Sequence, residues 1–175
     1  MTEHLGATLP APVSTPDDLR SVMRMFPTGV TVLSSGQDEE ASAITVNSFT
    51  SVSLDPPRVL VSVMKSSRTH PVIDATGGFH VHLLSDRQED VARLFASRNK
   101  PSGRELQNYL AAGKGESLFM PGALATLDCR VEGRFPGGDH TLFLGRVESV
   151  QPGADAEGAL LFHRGRLTSA PTFAE

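Results

Sequence analysis

Cysteine, tryptophan and tyrosine are nearly absent from this chain of 175 residues, which has one cysteine, one tyrosine and no tryptophan. The single cysteine, Cys129, excludes an intrachain disulfide and a cysteine-based metal cluster. With a formal net charge of -4, the chain lacks the excess of positive charge that binds nucleic acid or anionic membranes. No apolar run reaches the roughly 20 residues that span a bilayer, and the first residues lack the basic and apolar regions of a signal peptide. We therefore expect no nucleic-acid partner, no membrane partner and a cytoplasmic location.

The composition is that of a globular protein, with 39% hydrophobic and 21% charged residues. Together with the length, it predicts one domain with a sizeable core, over residues 15–170. Residues 1–14, rich in proline, threonine and alanine, are typical of a flexible leader. Residues 98–122 form an irregular insertion, and loops this long in a compact domain usually cover a ligand or a partner.

The hydrophobic pattern predicts a mainly β fold with inserted helices, six to seven strands, mostly antiparallel and closed into a barrel. Short turns between strands favour the antiparallel arrangement. The predicted strands cover residues 30–34, 45–53, 58–64, 79–84, 124–135, 140–150 and 159–163. Four helices are predicted. The first begins after the N-cap Thr15 and the second covers residues 71–76. The third begins after the capping box at Ser85 and the fourth covers residues 105–112.

Hydroxyl and amide side chains are unusually frequent in the strand that ends at Pro56 and Pro57. Core strands rarely contain such groups unless they face a polar partner. The next strand leads into residues 65–69, a cationic, hydroxyl-rich turn before a helix, which suits a phosphate. A flat heterocycle with a phosphate tail would use both features, so flavin mononucleotide (FMN) is the leading candidate. A hydrated edge strand and an ordinary solvated loop remain the alternatives.

Two weaker features flank this pattern. Gly138, Asp139 and His140 allow a close backbone approach and place a histidine at the start of a strand, although the triplet is also a routine hairpin turn. Residues 163–166 place clustered charge at the end of the last strand. No Gly-x-Gly-x-x-Gly motif follows a strand, so a nicotinamide cofactor would not use a dinucleotide-binding βαβ unit. His80 and His82 share a strand face without a third ligand at metal spacing, so we expect no metal site.

In their order along the chain, these motifs resemble the flavin reductase-like family, the FMN-binding split-barrel reductases of two-component monooxygenases. The matching stretches are residues 26–32, 45–57, 67–69, 78–81, 138–140 and 163–166. The resemblance implies a split β-barrel homodimer with FMN or FAD near the subunit interface and NADH or NADPH as co-substrate. It also implies a flavin-dependent monooxygenase as the recipient of reduced flavin.

The resemblance assigns a role to each matched position. His140 is the predicted catalytic residue. The predicted cofactor-binding residues are Thr45, Val46, Asn47, Ser48, Ser62, Val63, Met64, Lys65, Ser67, Arg68, Thr69, Gly138 and Asp139. Among them, residues 65–69 would hold the phosphate, and Gly138 and Asp139 would border the nicotinamide with His140. In such enzymes the flavin carries the redox chemistry, and the protein binds, orients and shields it.

Three positions depart from the family pattern: His82 replaces an asparagine, Leu167 replaces an aromatic residue, and residues 99–120 lack the usual Asp-Lys-Phe element. The resemblance as a whole implies an NAD(P)H:flavin oxidoreductase. Two alternatives stay open. One is a flavin-binding barrel without fast turnover, and the other is a reductase that keeps FMN as a prosthetic group and acts on another organic substrate.

Overall fold

The computed structural model describes residues 15–113, 118–153 and 158–170. The predicted flexible leader, residues 1–14, and part of the predicted insertion lie outside these ranges. Helix α1, Pro16–Met23, begins as predicted at Thr15, whose hydroxyl accepts the Asp18 backbone N–H at 3.2 Å. None of its residues is buried.

Twelve strands and three α-helices follow one another in the described residues. The strands are β1 Thr28–Gly29, β2 Thr31–Ser35, β3 Ser42–Val46, β4 Phe49–Leu54, β5 Pro57–Met64, β6 Gly78–Leu83, β7 Ala111–Ala112, β8 Leu118–Phe119, β9 Ala125–Gly137, β10 His140–Pro152, β11 Leu160–His163 and β12 Arg166–Ser169. The other two helices are α2 Thr69–Thr76 and α3 Glu89–Ala96. Single turns of 3-10 helix cover Asp38–Glu40 and Asp86–Gln88, and a longer 3-10 helix covers Gly103–Asn108.

Seven of these strands form one antiparallel sheet in the order β3-β2-β6-β9-β10-β5-β4. This confirms the mainly β fold with inserted helices. Strands β1, β11 and β12 form a smaller sheet, and β7 pairs with β8.

The two edge strands of the large sheet, β3 and β4, are consecutive in the chain and are separated only by Asn47 and Ser48. So short a connection spans at most about 10 Å, and the sheet must curve until its edges nearly meet. Hydrogen bonds hold the corner in place. The Thr31 hydroxyl donates to the Val46 carbonyl at 3.0 Å, and the Ser62 N–H donates to the Ser48 carbonyl at 3.2 Å.

The interior contains two apolar clusters. One lies between the large sheet and α2, around Val61, Ile73 and Phe143, and includes Cys129. The other lies beneath α3 and the small sheet, around Phe95 and Leu160. Successive residues of a strand point to opposite faces of the sheet, so β2, which is buried along its whole length, contributes Val32 to one cluster and Leu33 to the other.

Two of the predicted elements are wrong in detail. Residues 45–53 do not form one strand, because the chain turns at Asn47 and Ser48 and crosses from one sheet edge to the other. Residues 105–112 do not form an α-helix: the 3-10 helix Gly103–Asn108 ends before the short strand β7. By contrast, the capping box is present, with the Ser85 N–H donating to Gln88 Oε1 at 3.1 Å, although it opens a 3-10 turn before α3. Within the described ranges, no helix is long and apolar enough to cross a membrane.

Candidate functional site

The corner between β3 and β4 brings polar groups of two distant strands together. The Ser48 hydroxyl donates to the Ser62 carbonyl at 2.7 Å, and the Asn47 amide donates to the Thr28 hydroxyl at 3.2 Å. Both Asn47 and Ser48 are exposed. The predicted residues at this corner therefore form one accessible polar surface.

A cleft of about 270 Å³ opens beside this corner, between β3, α3 and the small sheet. Its walls are mostly apolar, and its polar groups come from Thr45, Asn47 and Arg93. The Thr45 hydroxyl donates to the Ala92 carbonyl at 2.7 Å, which fixes α3 against β3. The complete lining is Val30, Thr45, Val46, Asn47, Ala92, Arg93, Ala96, Phe162, Gly165 and Leu167.

The cationic turn of residues 65–69 leads directly into α2, as predicted. The Ser67 hydroxyl accepts the His70 N–H at 3.2 Å in the first turn of α2. Among the described residues, the exposed Arg68 guanidinium contacts neutral oxygens, namely the Lys100 carbonyl at 3.2 Å and, at 3.5 Å, the Arg98 carbonyl and the Ser102 hydroxyl. A helix N-terminus beside a guanidinium that no carboxylate of this part of the chain neutralises is a favourable environment for an anion.

Two predicted side chains point away from this surface. Val63 is buried in the core, and Thr69 is fully buried with its hydroxyl 2.9 Å from that of Ser42. Val63 and Thr69 could therefore contact a ligand only through their backbone atoms. Their assignment as binding residues remains a prediction.

The hairpin between β9 and β10 places Gly138 and Asp139 in its turn and His140 at the first position of β10. Asp139 Oδ1 lies 2.7 Å from His140 Nδ1. This hydrogen bond holds the pKa of the Asp139 carboxyl below its usual range, and the charge of His140 acts in the same direction. Gly138 has φ +69°, a conformation that glycine adopts without strain.

Strand β5 connects the corner to the hairpin. Ser62 pairs with Leu142 and Met64 pairs with His140, and because alternate residues share a face, Ser62 and Met64 lie on one side of the sheet. Beyond the last pair, the Lys65 N–H donates to the Asp139 carbonyl at 3.0 Å. The corner, the cationic turn and the hairpin thus follow one another along the outer face and end of β5.

The structure also identifies residues that the sequence reasoning missed. Arg93 and Phe162 line the cleft, and Lys100 lies beside Arg68. The pKa of the Lys100 ammonium is lowered by burial and by the positive charge of Arg68. The periodicity of α3 marks Arg93 only as a solvent-facing residue, and nothing in the sequence links residue 100 to residue 68.

A separate cluster of titratable groups lies on β6, away from the cleft. His82 is fully buried, with Nε2 at 2.9 Å from the Ser34 hydroxyl and Nδ1 at 2.9 Å from that of Thr126. Burial, together with the neighbouring His80, lowers the pKa of His82 to about 3. Cys129 is buried and burial raises its pKa to about 12, which is the environment of a core residue and not of a nucleophile.

Comparison with known proteins relates this arrangement to a single family. A family model described as "Flavin reductase like domain" matches residues 23–171. The chain is 42% identical over 154 residues to the NADH-dependent FMN reductase AsuE2 of Streptomyces nodosus subsp. asukaensis, covering 87% of this chain and 83% of that protein. It is 36% identical over 146 residues to the reductase component of 4-hydroxyphenylacetate 3-monooxygenase of Thermus thermophilus, covering 83% and 91%.

Solved structures have the same fold. BorF, the flavin reductase component of a bacterial two-component tryptophan halogenase, superposes with a TM-score of 0.83 at 35% identity, over 91% of this chain and 100% of that one. SgcE6, the NADH:FAD oxidoreductase of Streptomyces globisporus solved with NAD and FAD fragments, superposes with a TM-score of 0.81 at 37% identity, over 94% and 100%. The split-barrel fold implied by the resemblance is confirmed. The chain belongs to the flavin reductase-like family.

Proposed function

We propose that the protein is an NAD(P)H:flavin oxidoreductase that transfers hydride from a nicotinamide to FMN or FAD. The observation that carries this proposal is the juxtaposition, at the end of β5, of the cationic turn of residues 65–69 with the hairpin that presents His140. Two of the family members named above, AsuE2 and SgcE6, are an NADH-dependent FMN reductase and an NADH:FAD oxidoreductase, which favours NADH as the donor.

The residues present fit a flavin mononucleotide. Three kinds of donor are available for a phosphate: the backbone N–H groups in the first turn of α2, the Ser67 hydroxyl and the Arg68 guanidinium. Lys65 adds positive charge, and Thr69 contributes its backbone. The corner at Asn47 and Ser48 supplies donors and acceptors for the polar edge of a ring system. We assign the flavin ring to the mostly apolar cleft. Its volume of about 270 Å³ is smaller than that of most pockets that enclose a whole ligand, so the rest of the cofactor would lie outside the cleft.

When bound, the flavin supplies the hydride-accepting chemistry, and the protein sets the geometry. His140 borders the face on which we place the nicotinamide, and its imidazole is oriented by the Asp139 carboxylate at 2.7 Å. Apolar neighbours of the cleft, such as Phe162 and Leu167, keep water from the ring. The site is open to solvent at Asn47, Ser48 and Arg68, which suits a flavin that must leave after reduction.

We also propose that the functional unit is a homodimer. The outer face of β5 and β9 exposes two large apolar side chains, Met64 and Phe135, which share a side because Ser62 of β5 pairs with Leu142 and Leu142 pairs with Phe135. Apolar patches of this kind on a soluble domain usually mark an interface. Because Met64 belongs both to this face and to the predicted site, a second protomer packed here would border the flavin.

The reduced flavin would be delivered to a flavin-dependent monooxygenase. One relative, the reductase component of a monooxygenase, supports this assignment, and a second, the reductase component of a halogenase, supports transfer to a separate partner enzyme. We place the reaction in the cytoplasm, where pyridine nucleotides are available to an enzyme whose only cysteine is a free, buried thiol.

The decisive experiment mixes purified protein with NADH in air and follows absorbance at 340 nm while free FMN is titrated. Oxidation that scales with added FMN is the expected result, and the same assay with NADPH and with FAD fixes both preferences. A protein that binds FMN but does not oxidise either nucleotide would refute the proposal. Turnover that is independent of free FMN would instead identify a prosthetic flavin and a different substrate.

A further inference from the structure

The turn of the β9–β10 hairpin is exposed, yet one side chain from the turn that follows β5 holds it. Lys65 Nζ donates to the Gly138 carbonyl at 2.6 Å. The Lys65 backbone N–H donates to the Asp139 carbonyl at 3.0 Å, one residue beyond the last β5–β10 pair. Within the described residues of β5 and its following turn, the hydrogen bond to Gly138 comes from Lys65.

These contacts form a chain that ends at the predicted catalytic residue. Lys65 fixes Gly138, the next residue is Asp139, and the Asp139 carboxylate accepts from His140. The pKa of Asp139 is lowered first by the hydrogen bond from His140 and also, to a lesser extent, by the charge of Lys65. The Lys65 ammonium therefore acts on this turn both through a hydrogen bond and through its field.

We propose that Lys65 is a positioning residue for the nicotinamide side of the site, in addition to contributing charge to the phosphate side. Its ammonium ties the Gly138–Asp139 turn to the cationic turn before α2, and this sets where Asp139 holds the His140 imidazole. The inference rests on the proposed function, because it assigns the nicotinamide to the face beside His140.

The neighbouring cation Arg68 provides the contrast. Its guanidinium contacts oxygens of residues 98–102 and none of the hairpin turn. Removing the charge of Arg68 should therefore weaken the flavin side alone. Removing Lys65 should disturb the nicotinamide side more than the flavin side, and this difference separates positioning from simple phosphate binding.

The test compares Lys65→Met, Lys65→Arg and Arg68→Met by stopped-flow reduction of FMN at increasing NADH, with FMN affinity measured separately by fluorescence. In Lys65→Met we expect the NADH concentration for half-maximal rate to rise at least fivefold and the FMN dissociation constant to rise less than threefold. Lys65→Arg should restore at least half of the NADH response, since a guanidinium also donates to a carbonyl. Arg104→Met, which removes an exposed cation paired with Glu39, is the control for charge and should match the wild type.

A second measurement does not need turnover. Amide hydrogen exchange over residues 137–141 should be about tenfold faster in Lys65→Met than in the wild type or in Arg104→Met. Unchanged amide hydrogen exchange over residues 137–141 in Lys65→Met would overturn the inference. So would a Lys65→Met enzyme that responds normally to NADH but binds FMN as weakly as Arg68→Met does. If the wild type fails to oxidise any nicotinamide, the proposed function fails, whereas the exchange data still report whether Lys65 holds the turn.

Discussion

Acid sensitivity should originate largely in one buried imidazole, that of His82. It has no exposed surface, and both ring nitrogens lie 2.9 Å from hydroxyls, those of Ser34 and Thr126. Burial, and to a lesser extent the charge of the neighbouring His80, lowers its pKa to about 3. The folded state thus keeps His82 neutral at a pH where the unfolded chain already protonates it.

The size of the stability loss follows from the difference between the pKa of His82 in the folded protein and its pKa in the unfolded chain. An unfolded histidine titrates near pH 6.5, so the contribution of His82 to stability is complete above that pH and is lost as the pH falls. At 1.36 kcal/mol per pH unit, the loss between pH 7.5 and pH 5 is about 2 kcal/mol. This value does not depend on the folded pKa, provided that the folded pKa lies well below 5.

The assay is chemical unfolding of the wild type and of His82→Asn at pH 7.5, 6 and 5. Asparagine cannot titrate, and its amide can still bond a neighbouring hydroxyl. The substitution should cost about 1–3 kcal/mol at pH 7.5 through lost packing. By pH 5 the gap in unfolding free energy should have narrowed by about 2 kcal/mol, because only the wild type loses the His82 contribution.

Titration of other groups is common to both proteins, including His80, which lies 3.7 Å from Asp128. The difference between the two curves therefore isolates His82. If the two curves of unfolding free energy against pH run parallel from pH 7.5 to pH 5, then His82 does not remain neutral in the folded protein and the reasoning fails.

Three further substitutions test the site and the core. His140→Ala should slow FMN reduction by NADH about tenfold or more in stopped flow, by loss of substrate orientation, while FMN affinity changes little. Arg68→Met should raise the FMN dissociation constant about 10- to 100-fold by fluorescence titration, since a charge-assisted hydrogen bond contributes about 1.5–3 kcal/mol. Gly145→Ala should destabilise the fold by about 1–3 kcal/mol in urea melts, because the added Cβ would lie 2.6 Å from Phe79 Cζ.

Each of these expectations has an outcome that contradicts it. An unchanged reduction rate in His140→Ala removes that residue from the mechanism. FMN affinity at the wild-type level in Arg68→Met, judged against Arg104→Met, rules out the phosphate assignment. For the core, Gly29→Ala is the matched control, because nothing lies within 4 Å of the Cβ position at Gly29. Equal stability of the Gly29→Ala and Gly145→Ala proteins would show that the side chains around Gly145 accommodate a Cβ with no loss of unfolding free energy.

Much of the architecture could be predicted because its signals are local. The Thr15 cap, the Ser85 capping box and the glycine turn before His140 each depend on residues a few positions apart, and each is present. The order of motifs was sufficient to indicate the family. The corner at Asn47 was missed because residues 45–53 contain no glycine or proline to mark a turn, and the turn is imposed by closure of the sheet.

Sequence alone determined the β-rich class and the cationic turn before α2, because periodicity and side-chain chemistry are properties of short segments, and the order of motifs made His140 a candidate through the family resemblance. Only the tertiary structure decided which of these groups meet. It buried the Thr69 hydroxyl against Ser42, brought Arg93 and Phe162 to the cleft, and joined Lys65 to Gly138. Residues 65 and 138 are far apart in the chain, and the antiparallel pairing of β5 with β10 brings them within hydrogen-bonding distance.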